Sequence, residues 1–148
     1  MRIALNTAAL AVLGRQWPGA RKAPLAFGGF SGGAKYSGWL AAAFASRGRT
    51  VIGVYQAGVN EDTVHQGAVH FDVLNAAFKR TPVFLQAGER DNAAPPATQQ
   101  MVLADMKRAG FRNVRLEFFP GSHQVNPEPV RGALDWFREL AALPVAPR

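Results

Sequence analysis

Four short apolar runs recur along the chain: "APLAFGG" (23–29), "TVIGVYQAG" (50–58), "TPVFLQAGE" (81–89) and "VRLEFFPG" (114–121). Each has the length of a strand and is bounded by glycine or proline, as strands buried on both faces are. Proline at the start of the third run is tolerable, because a first residue need not donate to a ladder. The stretches between them read as helices. "GGAKYSGWLAAAFASRG" (32–48) has Tyr36, Trp39, Leu40, Ala43 and Phe44 at three-and-four spacing and stops at Gly48. "PATQQMVLADMKRAG" (96–110) has proline near its start and glycine after its end. "NPEPVRGALDWFREL" (126–140) has Asn126 as N-cap and Pro127 at the first helical position. The segment 59–80 is polar and mixed, and reads as loop plus a short helix. With a first helix over 3–16, the order is helix, then strand and helix four times over. That alternation predicts a three-layer α/β/α domain on a mostly parallel sheet.

The chain has 148 residues, 48% of them hydrophobic, which suits one globular domain over 1–148 with a loose tail at 142–148. It has no cysteine, so disulfides, thiolate catalysis and cysteine-based zinc sites are excluded. The formal net charge is +7, but its arginines are spread from Arg15 to Arg138, with no basic block and no aromatic–basic module. A nucleic-acid partner is therefore not expected. Nor is a membrane, since no apolar run approaches the roughly 18 residues of a span. The first residues resemble a signal peptide weakly, but Asn6, Thr7 and Arg15 interrupt them, and an amphipathic helix of the fold is the better reading.

The glycine-rich stretch after the first strand has two readings. Gly28 to Gly33 matches the opening of a phosphate-binding loop, but Ala34 stands where its lysine belongs and Tyr36 where its hydroxyl residue belongs. "GFSGG", Gly29–Phe30–Ser31–Gly32–Gly33, is instead G-x-S-x-G between a strand and a helix, the setting of a nucleophile elbow. Glycines at 29 and 33 are expected to remove side chains that would collide across a sharp, strained turn. The turn would lift the Ser31 hydroxyl above the sheet, and the Gly32 N–H could donate to an oxyanion. Serine is a weak nucleophile and needs a base held by an acid. The third strand ends in "AGERDNAAPP", offering Glu89 and Asp91, and the fourth in "FFPGSHQVNP", offering His123. All lie at carboxyl ends of strands, where open α/β sheets assemble sites. His65 and His70 are loop residues without a completing ligand set, so no metal is expected. Lys35 reads as a solvated first-turn lysine rather than a catalytic group.

"GFSGG", "GERDNAAPP" and "PGSHQVNPEPVRGALDWF" resemble the α/β-hydrolase fold in its esterase and dienelactone-hydrolase-like branch. The resemblance implies Ser31 as nucleophile, Asp91 as acid and His123 as base, with Asp91 preferred to Glu89 by a G-x-x-D pattern from Gly88. It implies a carboxylic ester hydrolase without a cofactor. Acyl transfer and thioester cleavage would use the same groups. Family members usually carry several strands before the elbow strand, and an early loop supplying a second oxyanion N–H. Neither is found ahead of "PLAFGG", so this reads as a minimal form of the fold. Two expectations follow. The second oxyanion donor must come from elsewhere, such as the 59–64 loop. The apolar, uncharged elbow strand becomes a sheet edge that invites pairing, so a homodimer is expected, with a fragment of a longer protein as the alternative. The segment between Gly58 and Pro82 is too short for a large lid, which favours small or exposed esters. The rival expectation is a non-catalytic remnant serving as a binding or assembly module.

Overall fold

The computed structural model describes residues 2–142, so the tail expected at 142–148 lies outside the described residues from 143 onward. Four strands, β1 (Leu25–Phe30), β2 (Val51–Ala57), β3 (Val83–Gly88) and β4 (Val114–Phe119), form one sheet in the order β1-β2-β3-β4. All three pairings are parallel. Five helices accompany them: α1 (Arg2–Gln16), α2 (Gly32–Ala45), α3 (Thr63–His70), α4 (Pro96–Arg108) and α5 (Glu128–Ala142). The expected alternation and the three-layer architecture are therefore present.

A parallel sheet has to be covered on both faces. One face packs Val54, Val83 and Leu85 against Ala41 and Ala42 of α2, Val64 and Ala68 of α3, and Val102 and Met106 of α4. Helices α2 and α3 approach closely because Gly38 lacks a side chain: a Cβ there would sit 2.8 Å from Val64 N. The other face is covered by α5, through Ala133, Trp136 and Phe137 on Tyr55, Ala57 and Phe84. Phe137 is fully buried and lies over Gly53, where any Cβ would fall inside its ring.

Several local readings need correction. His65 and His70 are not loop residues but lie within α3, which Asp62 caps by accepting from His65 N–H. Strand β4 is not buried on both faces: Arg115 and Glu117 are exposed, and the Arg115 guanidinium stacks 4.2 Å from the Trp136 ring centroid. Helix α5 begins one residue later than expected, at Glu128, whose N–H donates to Asn126 Oδ1. Helix α1 forms, but it does not act as an amphipathic helix of the core. Its Leu5 is 63% exposed, Val12 and Leu13 are exposed too, and so is Trp17 just beyond it.

The two edges of the sheet differ. On β1, Leu25 N–H and Ser31 N–H donate to Thr50 and Ala57 carbonyls of the β2 side. Alternation along a parallel ladder then turns the N–H groups of Ala26, Gly28 and Phe30 away from β2. Among the described residues no strand pairs with that edge. An apolar groove of about 320 Å³ continues it, between β1 and α5, with Phe27, Phe30, Val125, Val130 and Leu134 in its walls.

Phe137→Ala is expected to destabilise the protein by about 3–5 kcal/mol, the cost of emptying a buried aromatic site. Urea unfolding of the two proteins measures this directly.

Candidate active site

The turn after β1 has the geometry its glycines suggest. Ser31 adopts φ 53° and ψ −119°, one of two non-glycine residues with positive φ among the described residues. Such a conformation costs on the order of 1–3 kcal/mol and persists only where surroundings enforce it. Here Ser31 N–H donates to Ala57 O (2.8 Å), and Ser31 O accepts from Lys35 N–H (3.1 Å). The residue is thus pinned between β2 and the first turn of α2. Gly29 is required sterically, since a Cβ there would stand 2.7 Å from Ala34 N and run into the Gly33 carbonyl. Gly33 is different: a Cβ on it would meet nothing within 4 Å. The collision expected at both glycines arises at Gly29 alone, because its Cβ points at the helix backbone and that of Gly33 points outward. Phe30 ends β1 and turns its ring toward His123, with centroids 4.6 Å apart. Gly32 opens α2, and its N–H makes no backbone hydrogen bond among the described residues, which leaves it free to donate.

His123 and Asp91 are brought together. His123 Nδ1 and Asp91 Oδ2 are 2.8 Å apart. The carboxylate is 3% exposed, and its other oxygen accepts from Ala93 N–H and Ala94 N–H, both at 2.8 Å. Burial alone would raise the pKa of Asp91. The bonds from Ala94, His123 and Ala93 outweigh it, and the carboxyl sits below its ordinary value. Glu89 is exposed. The loops that carry Asp91 and His123 are stitched together by their backbones, Glu89 N–H to Phe119 O (3.0 Å) and Arg90 N–H to Gly121 O (2.8 Å).

Ser31 stands at the same sheet edge. Phe30 precedes it and packs on the imidazole, and Gly58, directly after β2, lies against that ring. Ser31 Oγ makes no hydrogen bond with His123 among the described residues. Such bonds are often long in the absence of substrate and tighten when it binds. Lys35 is not merely solvated: it forms an ion pair with Glu61 and so ties the 59–62 loop to α2. Asn60 Nδ2 reaches Ala93 O (3.4 Å) from the same loop.

Sequence reasoning missed Gly58. Its φ is +62°, and a Cβ would lie 2.9 Å from His123 Cε1, so the imidazole occupies the space a side chain would fill. A glycine directly after a buried strand was the available signal. It also missed the glutamines of β2 and β3, Gln56 and Gln86, both buried. A polar residue inside an otherwise apolar strand needs a partner, and that was their signal.

No family model matches the sequence, and neither does any curated protein. Solved structures do match. An acyl-protein thioesterase 2 from Zea mays superposes with TM-score 0.62 at 18% identity, over 93% of this chain and 64% of that one. Esterase PE8 matches with TM-score 0.59 at 17% identity, over 89% and 58%. An α/β-hydrolase from Vibrio vulnificus gives 0.54 at 18% identity, over 80% and 49%. The chain therefore has the α/β-hydrolase fold and spans less than two thirds of the length of these neighbours.

Because the folded pKa of Asp91 is depressed, its contribution to stability is full above the unfolded value and is lost as pH falls through the folded one. Wild type is therefore expected to lose more stability than Asp91→Asn as pH drops below about 4. Urea midpoints at neutral and acid pH check this; parallel curves for the two proteins would contradict it.

Proposed function

We propose that the chain is a serine hydrolase of carboxylic esters. The observation that carries the reading is the hydrogen bond between the half-buried His123 and the buried Asp91, at the carboxyl ends of the strands where the strained Ser31 turn also ends. In this reading His123 takes the Ser31 proton as the hydroxyl attacks the ester carbonyl. The Gly32 N–H, at the positive end of α2, donates to the oxyanion. His123 then returns the proton to the leaving alcohol. Water, activated by the same imidazole, releases the acid from the acyl-enzyme. Asp91 keeps the imidazole oriented and stabilises its charge. The neighbours named as an esterase and a thioesterase support the reaction class. Short or exposed esters are the favoured substrates, because the connection between β2 and β3 holds only α3 and a short 3-10 helix (Phe78–Arg80), too little for a large lid there. Thioesters fit the same chemistry.

The second reading is a binding or assembly module that retains the fold without turnover. It draws on the oxyanion site, where Gly32 is the sole donor assigned. Losing one of two donors costs about 10²–10³ in rate.

Hydrolysis of p-nitrophenyl acetate and butyrate separates the two. Wild type is expected to turn over, Ser31→Ala to fall to background, and Asp91→Asn to lose about 10⁴-fold in kcat. Equal rates for wild type and Ser31→Ala would leave only the binding module.

The open edge of β1 is proposed to pair with the same edge of a second copy. Light scattering coupled to size exclusion is expected to give twice the chain mass of 15.9 kDa. A monomer across the accessible concentration range would remove the dimer.

A further inference from the structure

Three fully buried glutamines each reach a backbone carbonyl in a segment that carries a site residue. Gln56 of β2 donates to Ala34 O (2.7 Å), in the first turn after Ser31. Gln99 of α4 donates to Ala94 O (2.9 Å), whose own N–H bonds Asp91. Gln86 of β3, 1% exposed, does more: its Nε2 donates to Asn126 O (2.7 Å) and its Oε1 accepts from Asn126 N–H (2.9 Å). Among the described residues the Oε1 atoms of the other two glutamines have no partner, whereas both ends of the Gln86 amide are satisfied by one residue. The bidentate geometry also fixes the amide orientation, since only one assignment pairs donor with acceptor at both ends.

Asn126 lies three residues after His123, between the histidine and α5. The loop is otherwise lightly held: Ser122, Gln124, Val125 and Pro127 are all exposed. Its upstream end is tied by Arg90 N–H to Gly121 O. Gln86 ties the downstream end, and it does so from β3, an interior strand of the sheet. An amide buried at that depth costs free energy unless bonded, so it is retained where its bonds do something an apolar residue could not. A leucine or methionine there has no amide with which to grip the loop.

We propose that Gln86 is a positioning residue for the base: it holds the His123 loop so that the imidazole meets Asp91 on one side and Ser31 on the other. The inference rests on the ester-hydrolase reading above. A displacement of about 1 Å in a reacting group costs on the order of 10²-fold in rate, so loss of the clamp should act on kcat.

The test compares wild type, Ser31→Ala, Gln86→Met and Gln86→Glu. With p-nitrophenyl butyrate, Gln86→Met is expected to lower kcat by about 10–10²-fold with KM within about twofold. The proton shared by His123 Nδ1 and Asp91, followed by NMR, should broaden or vanish in this variant. Gln86→Glu is the check should Gln86→Met fail to fold. Its ionised carboxylate faces the Asn126 carbonyl, but its protonated form can donate and accept as the amide does. The titratable groups facing position 86 are Tyr55, pushed up to about 12 chiefly by burial, and Glu117 of the adjoining strand. The kcat ratio of Gln86→Glu to wild type should therefore rise as pH is lowered. An unchanged kcat in Gln86→Met, or a flat ratio in Gln86→Glu, overturns the proposal. If wild type and Ser31→Ala are equally inactive, the hydrolase reading fails on its own. The shared proton then decides for Gln86: its persistence in Gln86→Met refutes the clamp, and its loss upholds it.

Discussion

Parallel strands all end on the same side of a sheet. Here that single constraint gathers Ser31 after β1, Gly58 after β2, Asp91 after β3 and His123 after β4, although they span most of the chain. Parallel pairing requires a crossover between each pair of strands, and the crossovers supply the helices that bury both faces. The same geometry leaves the connecting loops at the carboxyl ends close enough to share backbone hydrogen bonds. The 89–94 and 120–127 segments are joined in this way through Arg90 N–H to Gly121 O, and the Asn60 side-chain amide adds the 59–62 segment by donating to Ala93 O. A site built on such loops takes its precision from the sheet beneath them.

Rigidity at this edge comes from unlike sources. Ser31 is held by backbone bonds on either side and by the absence of a side chain at Gly29. Asp91 is held by the two N–H groups that follow it, which also keep it charged. His123 depends on what surrounds its ring and loop: Phe30 against one side, the bare Gly58 beneath, and the Gln86 amide anchoring the chain further on. Strain at Ser31 and buried amides at 56, 86 and 99 are costs to folding. They fall where the site would require fixed geometry, which is where local rules are expected to be broken.

Much of this was legible in the sequence. The four apolar runs were strands because their length and glycine boundaries left few alternatives, and the alternation with helices dictated a parallel sheet. The positions of Ser31, Asp91 and His123 at strand ends followed from that order. What the sequence concealed was determined by tertiary packing. Helix α1 has apolar residues in abundance, but Leu5, Val12 and Leu13 are exposed. Strand β4 looked apolar because Val114, Leu116, Phe118 and Phe119 outweigh Arg115 and Glu117, yet it lies at an edge and keeps one side wet. Gly33 seemed as necessary as Gly29, and only the direction of a Cβ distinguishes them. The clamp at Gln86 depends on a residue forty positions away, which no local pattern could reveal.

The inequality of the two sheet edges has a consequence for assembly. Strand β4 carries Arg115 and Glu117 toward water, and charges of this kind blunt an edge against further pairing. Strand β1 carries none, and among the described residues no strand pairs with its outward N–H groups. A molecule with one receptive edge and one blunted edge can be extended only once. If two copies associate through β1 as proposed, the receptive edge of both is used up and blunt ends are left outward, so such a sheet would close as a finite pair. With two receptive edges the same fold could propagate into a fibre.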